Sequence, residues 1–220
     1  MNEAGPSATD LTKQDRKVPI LAAERLSVYR KTLEELHSEG TEYVHSHQLA
    51  EFVGVTPAQL RRDLASFGSF GNIARGYNVY QLTRTIARIL GTDTPQTVAL
   101  FGVGDLGRSL LAYRGFEERG FHIGVAFDLD AQKIGRVFAG RRCFGLDDIE
   151  RVVHDYAVRI AVLACRPEGV QRLVERLAKA GVGLFLNFVP KRVVPPPGTH
   201  VENIDIAAKL EKLSFIGKHR

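Results

Sequence analysis

The residues with the clearest chemical potential are three glycines and one acid. Gly102-Val103-Gly104-Asp105-Leu106-Gly107 follows directly on the apolar run Thr97-Val98-Ala99-Leu100-Phe101, and a second apolar run, His122 to Phe127, ends in Asp128. A dinucleotide pyrophosphate needs glycines at these spacings for three separate reasons. Gly102 allows a tight strand-to-helix turn, Gly104 lets the backbone approach the phosphates, and Gly107 lets the helix sit close on the strand. The amides and dipole at the helix start then favour the negative charge. Asp128 lies 21 residues beyond Gly107, close to the ~20 at which an acid meets the adenosine ribose hydroxyls. A carboxylate there repels a 2′-phosphate, so NAD(H) is expected over NADP(H), with Asp130 as a rival for the role. Neither His154 nor His200 has an acid-base partner in sequence, and no catalytic residue is assigned. His45-Ser46-His47 supplies two histidines without a third ligand, so no metal is expected.

A second constellation lies upstream. Thr56-Pro57-Ala58-Gln59 offers an N-cap threonine, a proline at the first helical position, and a glutamine where a capping box wants it. Only Gly54 and Val55 separate this helix from one that Ser46 can cap, with Leu49, Phe52 and Val53 as its inner face. That short connection is expected of a helix-turn-helix. A buried stripe of Leu60, Leu64 and Phe67 turns Gln59, Arg62 and Ser66 outward and leaves Arg61 on the flank. Glutamine can bond adenine, and arginine can take guanine bidentately or grip phosphate. The loop from Gly68 to Gly76, running into Tyr77-Asn78-Val79-Tyr80 as an alternating edge strand, reads as a wing with Arg75 at its tip. Ser46, Gln59, Arg61, Arg62, Ser66 and Arg75 are therefore the expected DNA-facing set.

Four segments must position these residues. Residues 1–18 have the composition of a disordered tail. Residues 19–92 form the winged-helix DNA-binding domain, opening on a helix from Pro19 to Ser38 whose apolar positions are Leu21, Leu26, Tyr29, Leu33 and Leu36, with Arg25, Arg30 and Glu34 filling the others. Residues 93–203 form the Rossmann-like NAD(H)-binding domain. Its near-continuous apolar run Val158 to Cys165 suits a central parallel strand, and the buried strand Leu184 to Phe188 follows a helix from Val170 to Ala180. Residues 204–220 carry a terminal helix with a stripe of Ile206, Leu210, Leu213 and Ile216. The expected fold class is thus α/β: an N-terminal winged helix-turn-helix plus a doubly wound parallel sheet, with a C-terminal helix.

Bulk properties are compatible with this reading. At 220 residues, 44% hydrophobic and 25% charged, the chain is an ordinary globular composition long enough for two domains. A net charge of +5 permits an anionic partner, but acids such as Glu34, Glu35, Glu39, Glu42 and Glu51 offset it upstream, so any DNA-binding surface must be a local patch. The polar start and the lack of any apolar run near ~20 residues point to a cytoplasmic protein without a membrane segment. Cys143 and Cys165 are too few and too far apart for a zinc site or disulfide framework, so reduced, buried thiols are expected.

In combination these segments resemble the redox-sensing transcriptional repressor family Rex, from about Pro19 to Phe215. The resemblance rests on Gln59-Leu60-Arg61-Arg62-Asp63-Leu64, Phe67-Gly68-Ser69-Phe70-Gly71, Arg75-Gly76-Tyr77-Asn78-Val79, Gly102 to Gly107, Phe127-Asp128-Leu129-Asp130, Asn187-Phe188 and Glu202-Asn203-Ile204-Asp205. It implies a homodimer that binds a palindromic operator when NADH is scarce and releases it when NADH binds, with NADH and NAD⁺ as regulatory ligands and the terminal helix exchanged between subunits. It also implies that Tyr113 and Asp205 belong to the switch near the nicotinamide. Three departures stand out: Lys31 where relatives often carry arginine, Ile206 where an aromatic commonly follows the final acid, and Asp105 inside the glycine turn. The alternatives are an NAD-dependent oxidoreductase with an accessory N-terminal domain, and a module binding another adenine nucleotide such as coenzyme A.

Overall fold

The computed structural model describes residues 20–68, 70 and 75–219. The expected tail, the helix start at Pro19, and Ser69 and Gly71 to Ala74 of the expected wing lie outside the described residues. The chain divides into two compact units at Asp93/Thr94.

The first unit contains α1 (Ile20–Ser38), β1 (Tyr43–Val44), α2 (Ser46–Phe52), α3 (Pro57–Ala65), β2 (Tyr77–Asn78) and α4 (Val79–Ile89), with β1 and β2 paired antiparallel. Leu26, Tyr29 and Leu33 of α1, Leu49 of α2, Leu60 and Leu64 of α3, and Val79, Leu82 and Ile86 of α4 close one core. Two apolar positions expected inside face outward. Leu21 is exposed because five residues separate it from Leu26, which takes it off the buried face; Ala22 is buried instead. Phe52 is also exposed, while Ala50 turns inward beside Leu49. Nor does the strand after the wing extend to Tyr80. The Asn78 side chain accepts the Gln81 N–H at 2.9 Å and caps α4, so Val79 begins a helix whose apolar residues recur at 79, 82 and 86.

Two arginines expected to face solvent hold α1 in place. Arg30 is buried, donating through Nε to Glu34 (2.7 Å) and through Nη1 to the Thr92 hydroxyl (2.5 Å). Arg25 reaches Asp63 of α3, itself buried, with Nε on Oδ2 at 2.6 Å and Nη2 on Oδ1 at 2.7 Å. The Tyr29 hydroxyl donates to Oδ2 and the Gln59 amide to Oδ1, each at 2.7 Å. All told, four donors satisfy one carboxylate.

The second unit contains β3 (Gln96–Phe101), α5 (Asp105–Ala112), a 3-10 segment (Arg114–Arg119), β4 (Phe121–Phe127), β5 (Val137–Phe138), β6 (Arg141–Phe144), α6 (Ile149–Asp155), β7 (Ile160–Leu163), α7 (Val170–Lys179), β8 (Leu184–Asn187), β9 (His200–Asn203) and α8 (Ile206–Lys218). One seven-stranded sheet runs β5-β6-β4-β3-β7-β8-β9, parallel throughout except for β5 at one edge. The six parallel strands have the doubly wound order, so the chain reverses direction across the sheet between β3 and β7. Alternate residues of the central strands serve two cores. Ala99, Phe101, Val125, Phe127, Ala161 and Leu163 pack with α6 and α7, whereas Val98, Leu100, Ile123, Ala126 and Val162 pack with Leu110 and Leu111 of α5 and with Phe116.

Beyond the central strands, a buried Asn187 holds the loop after β8, donating to the Lys191 carbonyl (3.1 Å) and to Asn203 of β9 (2.9 Å) and accepting from Val189 N–H (3.0 Å). Asp205 caps α8 by accepting the Ala208 N–H at 2.9 Å. No residue of α8 is buried, and its apolar stripe meets no core of its own unit.

The Asp63 cluster sets an acid limit on the first unit. The Arg25 guanidinium, with help from Tyr29 and Gln59, holds the Asp63 carboxyl below the usual carboxylate range despite its burial. A lowered folded value means that this stabilisation is present above the unfolded value of ~3.9 and is lost as pH falls through the folded one. Urea titrations should show a first-unit midpoint that holds down to about pH 4 and then drops. Asp63→Asn should flatten that acid limb and cost about 1–3 kcal/mol at neutral pH, a discounted figure because the Arg25 side chain is 33% exposed.

Candidate functional site

In the second unit a cleft of about 1000 Å³ opens at the carboxyl ends of β3 and β7. This is where open α/β sheets bind ligands. Each glycine of the turn has a steric reason. Gly102 has φ +101°, and a Cβ there would lie 2.5 Å from the Ala164 carbonyl oxygen at the end of β7. A Cβ on Gly107, which is buried, would overlap the Gly102 carbonyl oxygen. Gly104 faces open space: nothing lies within 4 Å of its Cβ position, and its φ of −82° is ordinary. The first and third glycines thus close the turn onto the sheet, and the second leaves room above the N-terminus of α5.

Asp128 locks this turn. Its Oδ2 accepts the Val103 N–H at 2.8 Å, and its Oδ1 accepts the Asp130 N–H at 2.9 Å. Lys133 adds an ion pair to Oδ2 at 3.0 Å and approaches Asp130 at 3.8 Å. Burial works to raise the Asp128 carboxyl, but the two amides and Lys133 more than offset it and hold it below the usual range. It is charged at neutral pH. Asp130 instead accepts the Gln132 N–H in a local turn. Lys133 escaped the sequence reading, although a lysine five residues beyond an acidic strand end was a usable signal.

The remaining turn residues divide. Val103 is buried and its amide is committed to Asp128, while Asp105 is exposed, with Arg108 Nη2 at 3.5 Å from its carboxylate. Leu106, the other residue of the turn, is exposed and lines the cleft. Tyr113 caps the end of α5 and packs edge-on against Phe116, with ring centroids 5.0 Å apart. Neither Tyr113 nor Asp205 lines the cleft. Cys165 does, yet burial pushes its thiol up, and burial also drives Cys143 to about 11. Both are thiols rather than thiolates at neutral pH.

In the first unit the Thr56 hydroxyl accepts the Gln59 N–H at 3.1 Å and starts α3 as expected, but the capping box is not completed, because the Gln59 side chain bonds Asp63 and Arg62 instead. The other cap differs: His45, not Ser46, precedes α2, and its N–H donates to the Gln48 side chain at 2.9 Å. The Ser46 hydroxyl accepts from Arg61 Nη1 at 3.0 Å. Arg61 and Arg62 are exposed on α3, and the Arg75 guanidinium lies 4.4 Å above the Tyr43 ring. Among the described residues no acid pairs with these three arginines. Gln59, expected to face outward, is half-buried with its amide on Asp63 and its carbonyl 3.3 Å from Arg62 Nη1. The Ser66 hydroxyl donates to the Asp63 carbonyl at 2.6 Å. Lys31, exposed on α1, faces Glu35 at 3.8 Å. Among the described residues no group of three or more His, Cys, Asp or Glu side chains could hold a metal.

A family model described as "Putative DNA-binding protein N-terminus" matches residues 17–65, and one described as "CoA binding domain" matches residues 93–191. The chain is 41% identical over 199 residues to the redox-sensing transcriptional repressor Rex of Desulforamulus reducens, covering 90% of this chain and 95% of that relative. The chain belongs to the Rex family. A Rex of Desulfitobacterium hafniense is 40% identical, covering 93% and 98% of the two chains. Among solved structures, RSP in complex with beta-NADH matches with a TM-score of 0.83 at 28% identity, covering 93% of this chain and 96% of that one. RSP in complex with beta-NAD⁺ and operator DNA matches with a TM-score of 0.86 at 29% identity, covering 91% and 93%. RSP is itself described as a Rex-family repressor. The Rex likeness therefore spans both units, not the nucleotide fold alone.

Two glycine substitutions should separate folding from ligand binding. Gly104→Ala should leave the melting temperature nearly unchanged but weaken NADH binding by about tenfold or more, because a methyl enters the space that a phosphate needs. Gly107→Ala should lower the melting temperature itself, because its methyl meets backbone. Calorimetry for unfolding and titration of NADH for binding distinguish the two.

Proposed function

We propose that this chain is a transcriptional repressor that binds operator DNA when NADH is scarce and releases it on taking up NADH. The observation that carries the reading is the joining, in one Rex-family chain, of an exposed arginine pair on the second helix of a helix-turn-helix with a cleft built for a dinucleotide. The open space at Gly104, the floor made by Gly102 and Gly107, and the charged Asp128 fit the pyrophosphate and the adenosine ribose of NAD(H). The bound dinucleotide would supply charge and shape rather than a reaction. Asp128 disfavours a phosphate on the adenosine ribose, which sets NAD(H) apart from NADP(H) and from coenzyme A.

For DNA, we assign base reading to the exposed face of α3, led by Arg62, and backbone gripping to Arg61 and Arg75, with Ser46 and Ser66 beside them. Tyr113 and Asp205 are proposed as switch residues that act outside the cleft wall, and Lys31 as a third. The exposed stripe Ile206, Leu210, Leu213 and Ile216 is the proposed dimer element. A two-fold dimer presents two α3 helices about one DNA turn, ~34 Å, apart, and a small rotation of the units spoils that spacing. Uptake of NADH shifts the equilibrium only as far as its preference for the DNA-incompetent state, and NAD⁺ must lack that preference. An oxidoreductase reading has no support in the cleft, since His154 and His200 are exposed and neither lines it. No helix among the described residues is long and apolar enough to cross a membrane, and the proposed operator binding assigns the protein to the cytoplasm.

Fluorescence anisotropy on an operator duplex should show release by NADH but not by equal NAD⁺; equal release by both would sink the proposal. Leu210→Glu with Leu213→Glu should yield a monomer by light scattering and weaken operator binding about a hundredfold, the loss expected when two linked half-sites become one.

A further inference from the structure

Gln59, Arg62 and Ser66 lie on one face of α3, and a glutamine near the start of such a helix is an obvious adenine reader. Its amide is already spent. Nε2 donates to Asp63 Oδ1 at 2.7 Å, and Oε1 accepts from Arg62 Nη1 at 3.3 Å. Asp63 does not swing with it, because Arg25 and Tyr29 of α1 hold both carboxylate oxygens. To reach a base, Gln59 would have to abandon a charge-assisted bond to a buried carboxylate. The Arg62 guanidinium, by contrast, has no acid partner among the described residues and keeps Nε and Nη2 for a ligand.

We infer that Gln59 is a positioning residue and not a base reader: anchored on Asp63, it aims the Arg62 guanidinium at the DNA, so that α1 sets the direction of base recognition through Arg25, Tyr29, Asp63 and Gln59. A planar fork reads a guanine edge only if its plane is held, and a long side chain otherwise spends affinity on being ordered. Arg61 is the internal contrast, since Ser46 holds it and no bond leads from it to Asp63. The inference rests on the reading of α3 as the DNA-facing helix, and its test tells the two failures apart.

The test is a double-mutant cycle on the full-length dimer, read by operator anisotropy at several salt concentrations. It also uses operators changed one base pair at a time. Arg62→Ala should weaken operator binding about 10- to 100-fold and flatten the preference at one base pair. Gln59→Ala should weaken it by a smaller factor and flatten the same base pair, with the salt slope unchanged because no phosphate grip is lost. In the Arg62→Ala background, Gln59→Ala should change affinity less than about twofold. Gln59→Met, which keeps the stem but loses both bonds, should match Gln59→Ala and so separate aiming from packing. Multiplying losses, or a flattened preference at a different base pair, would overturn the inference and make Gln59 a reader. If Arg62→Ala leaves operator binding intact, the assignment of α3 fails and the inference falls with it. Urea titration of each variant, with the first-unit midpoint retained, confirms that α3 is still packed, and unchanged NADH titration confirms the same for the second unit.

Discussion

A carboxylate taken out of water must be met by donors or it destabilises whatever encloses it, and the DNA-binding unit is arranged around one such group. Asp63 projects from α3 into the space beside α1, where Arg25, Tyr29 and Gln59 together supply four hydrogen bonds. Burial of Leu60 and Leu64 in one core with Leu26 and Leu33 brings the helices together. It does little to fix their register, because leucines tolerate sliding and rotation. The Arg25 fork, met by both carboxylate oxygens, does not. The orientation of the exposed face of α3 is therefore a consequence of what its buried face holds.

The nucleotide unit uses the same device for a different end. Asp128 stands at the carboxyl end of β4 and collects the Val103 and Asp130 amides and the Lys133 ammonium, so the glycine turn is fastened to the neighbouring strand. An acid assigned to ribose recognition thus also has a structural duty. Fastening Val103 fixes the backbone that leads into Gly104, where the open space lies. In both units one buried or half-buried acid converts a loose local motif into a fixed surface.

Much of this was legible in the sequence because it follows from local stereochemistry. Gly102 and Gly107 leave no room for a side chain, and Thr56 with Pro57 can hardly do anything but begin a helix; such constraints act over a few residues. The parallel character of the sheet also followed from alternating apolar runs and helices. What escaped was set by pairings over long separations. Asp63 looks like an ordinary polar position between Arg62 and Leu64, and only the fold brings Arg25, 38 residues away, onto it. The bond from Gln59 to Asp63 escaped for the same reason, since a side chain facing solvent on a helical projection can still bend back to a buried acid. Asn78 shows a local competition instead: an alternating run suggested a strand, but a cap followed by apolar residues at helical spacing won.

The bare stripe of α8 has a further consequence. A thirteen-residue helix that buries none of its apolar side chains within its own chain is marginal alone in water and sticky. A partner helix laid along this stripe would take its apolar surface out of water and shield the chain from proteases, so that covering α8 and preserving the chain would be one event.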